Sequence, residues 1–149
     1  QRRLDNRFGF DIYCSSDALQ LDTIRLVLQP VVENAIIHGI EESPSDGTVS
    51  VRIAARGTLT FTIKDNGVGM TPERQADVCR RVEAAALLEH QSAPDTGRSI
   101  GLPNVARRLA LQWGEVARIQ IESRQGRGTV VTIVQPLSRI DRAGRLSRR

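Results

Sequence analysis

The chain is poor in several residue types. It has two cysteines, one methionine, one tryptophan, one tyrosine and, at position 64, one lysine among 149 residues. Cys14 and Cys79 lie far apart and form no Cys-x-x-Cys pair. That excludes a zinc ribbon or a disulfide scaffold and leaves two isolated reduced thiols. Aromatic residues make up 3%, too few for a binder that stacks single-stranded bases on its side chains. No apolar run approaches the ~20 residues of a membrane-spanning helix. Lys64 stands in an alternating apolar segment with no glycine-rich loop before it, so a P-loop is absent. Gly126-Arg127-Gly128 lacks a third glycine and leads into a strand pattern, so it is no dinucleotide fingerprint. There is no Gly-x-Ser-x-Gly elbow, and neither His38 nor His90 sits in the context of a catalytic triad.

What remains is a balanced globular composition, 40% hydrophobic and 26% charged, long enough for one domain with a sizeable core. The formal net charge is +4 and the pI near 10.0. Twenty of the twenty-one basic residues are arginines. Arg139, Arg142, Arg145, Arg148 and Arg149 concentrate the excess in a basic tail, about 138–149. It reads as a solvated, frayed terminus, and no nucleic acid is expected as a partner. The chain starts Gln1-Arg2-Arg3 without an initiator Met or the apolar core of a signal peptide, and reads as a piece of something longer.

Periodicity places the elements. Phe8, Phe10 and Ile12 alternate as a short strand. Apolar residues at helical spacing from Ile24 to Ile36 predict a helix over Thr23–Ile40 behind an Asp22 cap, with a kink at Pro30. Val49, Val51, Ile53 and Leu59, Phe61, Ile63 alternate on either side of Arg56-Gly57, a hairpin ending at Asp65. Pro72 to Leu88 is helical in pattern, and Glu89 to Ser99 reads as a flexible stretch. Leu102 to Trp113 is a second strong helix stopped by Gly114, and 116–122 with 129–134 form another hairpin. Hairpins segregated from helices predict an α+β fold, a two-layer α/β sandwich with a mostly antiparallel sheet and helices on one face.

Three segments carry candidate chemistry. Asn34 and His38 sit one turn apart on the predicted helix, with Glu33 beside them; a carboxamide oxygen suits a hard cation such as Mg²⁺. Asp65-Asn66-Gly67-Val68-Gly69 ends a strand with a carboxylate able to accept from an exocyclic amine, among glycines that permit close backbone approach. Gly97-Arg98-Ser99-Ile100-Gly101-Leu102 opens a helix, where free N–H groups favour an anion. Taken singly, each has a plainer reading: a polar helix edge, an ordinary turn, an N-cap.

In this order, however, the segments resemble the ATP-binding domain of the gyrase, chaperone, histidine kinase and mismatch-repair (GHKL, or Bergerat-fold) superfamily, above all sensor histidine kinases of the LytS/YesM type. The carriers are LQPVVENAIIHG at Leu28–Gly39, DNGVGM at Asp65–Met70, IGLPNVARRL at Ile100–Leu109 with Trp113-Gly114, and GRGT at Gly126–Thr129. The likeness covers roughly Phe8 to Leu137. It implies that Asn34 ligates Mg²⁺ bridging the ATP phosphates, and that Asp65 accepts from the adenine N6 amine with Gly67 and Gly69 lining the base and Met70 beside them. It implies His38 near the ribose and phosphates, Gly97, Arg98, Ser99, Gly101 and Leu102 closing over the phosphates, and Thr129 beside Asp65. Residues 71–98 would form a lid.

Two positions depart from the pattern: Ile37 stands where a basic residue is frequent and Ser99 where glycine is usual. The resemblance implies a phosphotransferase that takes the γ-phosphoryl of ATP to a histidine on a separate dimerisation domain. A response regulator would follow, in a homodimeric parent anchored at the inner face of the membrane with this domain in the cytoplasm. Within the superfamily, hydrolysing members carry a glutamate one turn before the asparagine, and here that position is Pro30; Glu33 is the remaining candidate base. A GHKL ATPase, an anti-sigma-type serine kinase and a degenerate non-catalytic binding module are the alternatives.

Overall fold

The computed structural model describes residues 8–24, 26–40, 46–87, 101–140 and 146–148. Five strands form one sheet in the order β1-β2-β3-β5-β4: β1 (Phe8–Cys14), β2 (Gly47–Arg56), β3 (Thr58–Asp65), β4 (Arg118–Arg124) and β5 (Gly128–Pro136). β1 runs parallel to β2, and every other pairing in this sheet is antiparallel. Alternation decides which face is covered. Val49 and Val51, Leu59, Phe61 and Ile63, and Val131 and Ile133 are buried, while Thr62, Lys64 and Thr132 between them face outward to varying degrees. The buried face packs under α1 (Gln29–Asn34), α2 (Pro72–Leu87) and α3 (Leu102–Trp113). The expected α+β two-layer arrangement is the one observed.

α3 has the bounds the periodicity predicts. Val105, Ala106, Leu109 and Trp113 form its buried stripe, and Gly114 at φ 61 ends it. The helix expected over Thr23–Ile40 differs in two ways. It starts at Gln29, with Pro30 in the first turn, where its missing N–H interrupts no bond; Pro30 therefore opens the helix instead of kinking it. Leu26 lies at φ 59, outside helical geometry, so the chain before it is a loop. After Asn34 the α-helix widens into a π-helical turn over Ala35–Ile40.

The loop ahead of α1 is fastened to the sheet by a polar core. Gln135, at 0% exposure on β5, accepts from the Thr23 hydroxyl at 2.7 Å and donates to the Asp22 carbonyl at 3.0 Å. The buried Ser138 hydroxyl donates to the same carbonyl at 3.0 Å, and Asp22 N–H donates to the Ser138 carbonyl. The basic tail departs from the frayed terminus that its composition predicts. Ser138–Ile140 pairs with Leu146–Arg148 as β6 and β7, a small separate hairpin whose first residue is held by that network; residues 141–145 and 149 lie outside the described residues.

α2 covers the helical half of the expected lid. Gln75 docks it on β4, its amide donating to the Ile121 carbonyl at 3.1 Å while its carbonyl accepts from Ser123 N–H at 3.2 Å. Residues 88–98 lie outside the described residues. Replacing Gln135 with Leu keeps the volume but removes both of its bonds to the α1 approach. Urea unfolding of that variant is expected to show a loss of about 1–3 kcal/mol, whereas Gln75→Leu, at a half-buried surface contact, should lose less.

Candidate functional site

A cavity of about 380 Å³ opens over the seam between β3 and β5. Ile63, Asp65, Thr129 and Val131 form its floor. One wall is α1 and the π-turn, with Val31, Asn34, His38 and Gly39; the facing wall is α2, with Arg74, Val78 and Arg81. Gly69 and Met70 close one end, and Gly101, Leu102 and Pro103 bring in the start of α3.

Asp65 is the one buried acid among the described residues, at 4% exposure. Its Oδ1 accepts from Gly67 N–H at 2.9 Å and from Thr129 N–H at 3.3 Å. Oδ2 makes no hydrogen bond among the described residues, yet it is not sealed from solvent, so it opens to the cavity. Burial pushes the Asp65 carboxyl above its ordinary range, against the lowering effect of the Gly67 and Thr129 N–H groups. A partly desolvated acceptor at the floor of an apolar pocket suits a neutral donor such as an aryl amine.

Bare backbone makes this geometry possible. A Cβ on Gly39 would lie 2.8 Å from Asp65 Oδ1, one on Gly67 2.0 Å from the Gly39 carbonyl oxygen, and one on Gly128 2.1 Å from the Asp65 carbonyl oxygen. Val68 N–H donates to the Gly39 carbonyl at 2.9 Å, and Gly126 N–H to the Val68 carbonyl at 2.7 Å. The π-turn brings Gly39 into this crossing. Gly67 thus has a different reason from the one expected: it is buried against Gly39 and does not line the cavity, whereas Gly69, at φ 63, does.

Among the other expected residues, Asn34, His38, Met70, Gly101, Leu102 and Thr129 all line the cavity. Glu33 does not. It is exposed and its Oε1 accepts from the Gln29 amide at 2.8 Å, one turn back on the far face. Gly97, Arg98 and Ser99 lie outside the described residues. The start of α3 is a leaner anion site than its glycines suggest. Asn104 and Val105 N–H both donate to the Gly101 carbonyl and Pro103 has no N–H, which leaves the Leu102 amide in that turn. No group of three or more His, Cys, Asp or Glu side chains sits together among the described residues. A divalent cation here would take one carboxamide ligand, Asn34, and complete its shell from water and from a ligand's own oxygens, a donor set that fits Mg²⁺.

Sequence reasoning missed Ser123, Arg74 and Arg81. The Ser123 hydroxyl accepts from Met70 N–H at 2.8 Å, lies 3.1 Å from the Gly128 carbonyl and 2.8 Å from Thr129 Oγ1. Because it donates to Gly128, it accepts from the Thr129 hydroxyl, which leaves Thr129 Oγ1 as an acceptor for a group in the cavity. A serine in a strand carries no local signal of this. Arg74, Val78 and Arg81 do share a face at i, i+4 and i+7, a pattern legible only once the helix is known to border a cavity.

The profile of the histidine kinase-, DNA gyrase B- and HSP90-like ATPase family matches residues 20–139, and the chain belongs to that family. Its relatives include the sensor protein kinase HptS of Staphylococcus aureus, 31% identical over 137 residues, covering 92% of this chain and 25% of that protein. A sensor-like histidine kinase of Staphylococcus epidermidis is 34% identical over 124 residues, covering 83% and 22%. The chain thus spans about a quarter of the length of the curated relatives it matches. Among solved structures, the histidine kinase domain of a blue-light activated histidine kinase from Erythrobacter litoralis shares the fold. Its TM-score is 0.55 at 21% identity, with 88% of this chain and 52% of that one covered. The catalytic domain of histidine kinase ThkA gives a TM-score of 0.54 at 17% identity, over 87% and 79%.

Asp65→Asn tests the floor. The amide oxygen can keep both backbone bonds while a donor replaces the acceptor at Oδ2. Adenosine affinity is expected to fall roughly five- to a hundredfold by calorimetry. Stability moves the other way. The folded-state pKa of Asp65 is raised above 3.8, so the folded state binds the proton more tightly and wild-type stability falls as pH rises from the unfolded value through the folded one. Asn has no charge to bury, so the variant should match wild type in acid and equal or exceed it in melting temperature at neutral pH.

Proposed function

We propose that this chain is the ATP-binding catalytic domain of a two-component sensor histidine kinase, which passes the γ-phosphoryl of MgATP to a histidine on a separate dimerisation domain of the same parent. The observation that carries the reading is the open Oδ2 of Asp65, at the floor of a cavity one wall of which presents Asn34. A base at the floor has its exocyclic amine read by Asp65, and its neighbouring acceptor position reaches the Thr129 hydroxyl oxygen through a water that donates to both. Its triphosphate then extends past His38 and the start of α3. Asn34 would hold Mg²⁺, which supplies charge neutralisation to the phosphate oxygens. The chain's own part is to fix the base, exclude water from the apolar end and orient the γ-phosphate.

Membership of the ATPase family and the sensor-kinase relatives support this reading. So does the placement of Glu33. A hydrolase needs a base over an aligned water, and Glu33 is tied to Gln29 outside the cavity while Pro30 has no ionisable group. In the parent, a homodimer with this domain on the cytoplasmic side and the anchor in the membrane, a response regulator receives the phosphoryl group next. None of the described helices is long and apolar enough to cross a membrane.

The chain mixed with γ-labelled MgATP is expected to retain no label and release little phosphate. Adding the parent's dimerisation domain in trans should put label on that domain alone. Brisk phosphate release by the isolated chain, abolished in Glu33→Gln, would place it among the hydrolases. Asn34→Ala is expected to bind adenosine within a few-fold of wild type while losing the gain in ATP affinity that Mg²⁺ brings, measured by titration with and without the metal.

A further inference from the structure

We propose that α2 is the cationic wall of the nucleotide site, with Arg74 and Arg81 holding the polyphosphate of the ligand; the proposal rests on the nucleotide reading above and names the residues that meet its anionic end. Among the described residues that line the cavity, the fixed charges are the Asp65 carboxylate at the floor and the two guanidiniums of α2. The floor carboxylate is occupied on one oxygen by two backbone N–H groups. The cavity walls above it therefore carry positive charge and no opposing acid.

Among the described residues, other sources of charge for a triphosphate are sparse. α1 contributes the neutral amide of Asn34 and the imidazole of His38, while Ile37 is 47% exposed and does not line the cavity. In the first turn of α3, Pro103 lacks an N–H and two amides are turned onto Gly101, leaving Leu102. A ligand with three or four negative charges needs more than this from the described residues, and α2 supplies it.

The spacing fits an extended anion. Seven residues of α-helix separate Arg74 from Arg81, about 10 Å along the axis, comparable with the reach of a triphosphate chain. α2 starts two residues after Met70, at the end of the cavity beside Gly69, so its cavity-facing residues run outward from there. Val78 lies between the two arginines and keeps an apolar contact beneath them. The Arg74 guanidinium makes no ion pair or hydrogen bond among the described residues. Arg81 is steadied by Asp77 at 3.7 Å, an exposed pair that solvent screens and that a phosphate displaces readily. Guanidinium groups suit this task through their paired donors. The helix itself is held against β4 by Gln75, so the wall is fixed before the ligand arrives.

The test compares ATP with adenosine by calorimetry on the 149-residue chain, in EDTA so that no metal links phosphate to Asn34. Wild type is expected to bind ATP more tightly than adenosine. Arg74→Ala and Arg81→Ala should each lower ATP affinity roughly tenfold and leave adenosine within twofold, with a shallower salt dependence. Arg80→Ala, on the same helix and paired with Asp77 at 3.3 Å away from the cavity, controls for general charge and should leave the ratio of the two affinities unchanged. An unaltered ratio in the Arg74→Ala Arg81→Ala double variant, or an equal loss in Arg80→Ala, overturns the role of α2 while leaving the nucleotide reading in place. Failure of wild type to bind either ligand overturns the nucleotide reading and this proposal with it.

Discussion

The structure turns on one crowded crossing, where three stretches of chain without side chains meet around the Asp65 carboxyl. Gly39 from the π-turn, Gly67 from the loop after β3 and Gly128 at the start of β5 approach so closely that a Cβ on any of them would lie within 3 Å of a neighbouring atom. Their closeness does two things at once. It takes a carboxylate out of water, raising its pKa, and it supplies the Gly67 and Thr129 N–H groups that hold one of its oxygens in place. The other oxygen is left oriented and poorly hydrated, the state in which a hydrogen bond to a ligand donor gains most over water. The widened turn after Asn34 follows from the same demand, since it carries the Gly39 carbonyl to the Val68 N–H.

Much of this was legible in the sequence because strand alternation and helix stripes are local. β1, β3 and α3 have the predicted bounds or nearly so, and Asp65, Asn34 and Thr129, which the motifs single out, line one cavity. What escaped was set by partners distant in sequence. The helical stripe that begins at Ile24 is apolar because Ile24, Val27 and Leu28 pack on the core as a loop, while Gln135, 112 residues from Thr23, fixes that loop by side-chain bonds. Ser123 and Gln75 look like ordinary surface residues until β4 and α2 are seen side by side. The resemblance implies Gly67 against the ligand, and the sequence, which shows a glycine without showing what it touches, holds nothing to correct that.

The two walls of the cavity divide the chemistry. α1 brings neutral polar groups, suited to a metal and to water, and α2 brings permanent charge. Their separation depends on the sheet order, which sets β2 and β1 on the α1 side and β4 on the α2 side of the β3–β5 seam. A short apolar strip, Phe8, Phe10 and Ile12, continues the covered face of the sheet onto the β1 edge, beyond Val49 and Val51, and stays exposed there.

That seam also has a bearing on how the chain folds. β2 with β3 and β4 with β5 are hairpins whose strands close over turns of a few residues, and they can form early. Joining β3 to β5 brings together positions such as Asp65 and Thr129, 64 residues apart, with α2 and α3 in the intervening loop. Closing so long a loop is slow and entropically costly. The floor residues sit on these two strands, so hairpins and helices without the β3–β5 pairing make no pocket. The ligand can select only the completed topology, and its binding draws the folding equilibrium toward the native state by mass action.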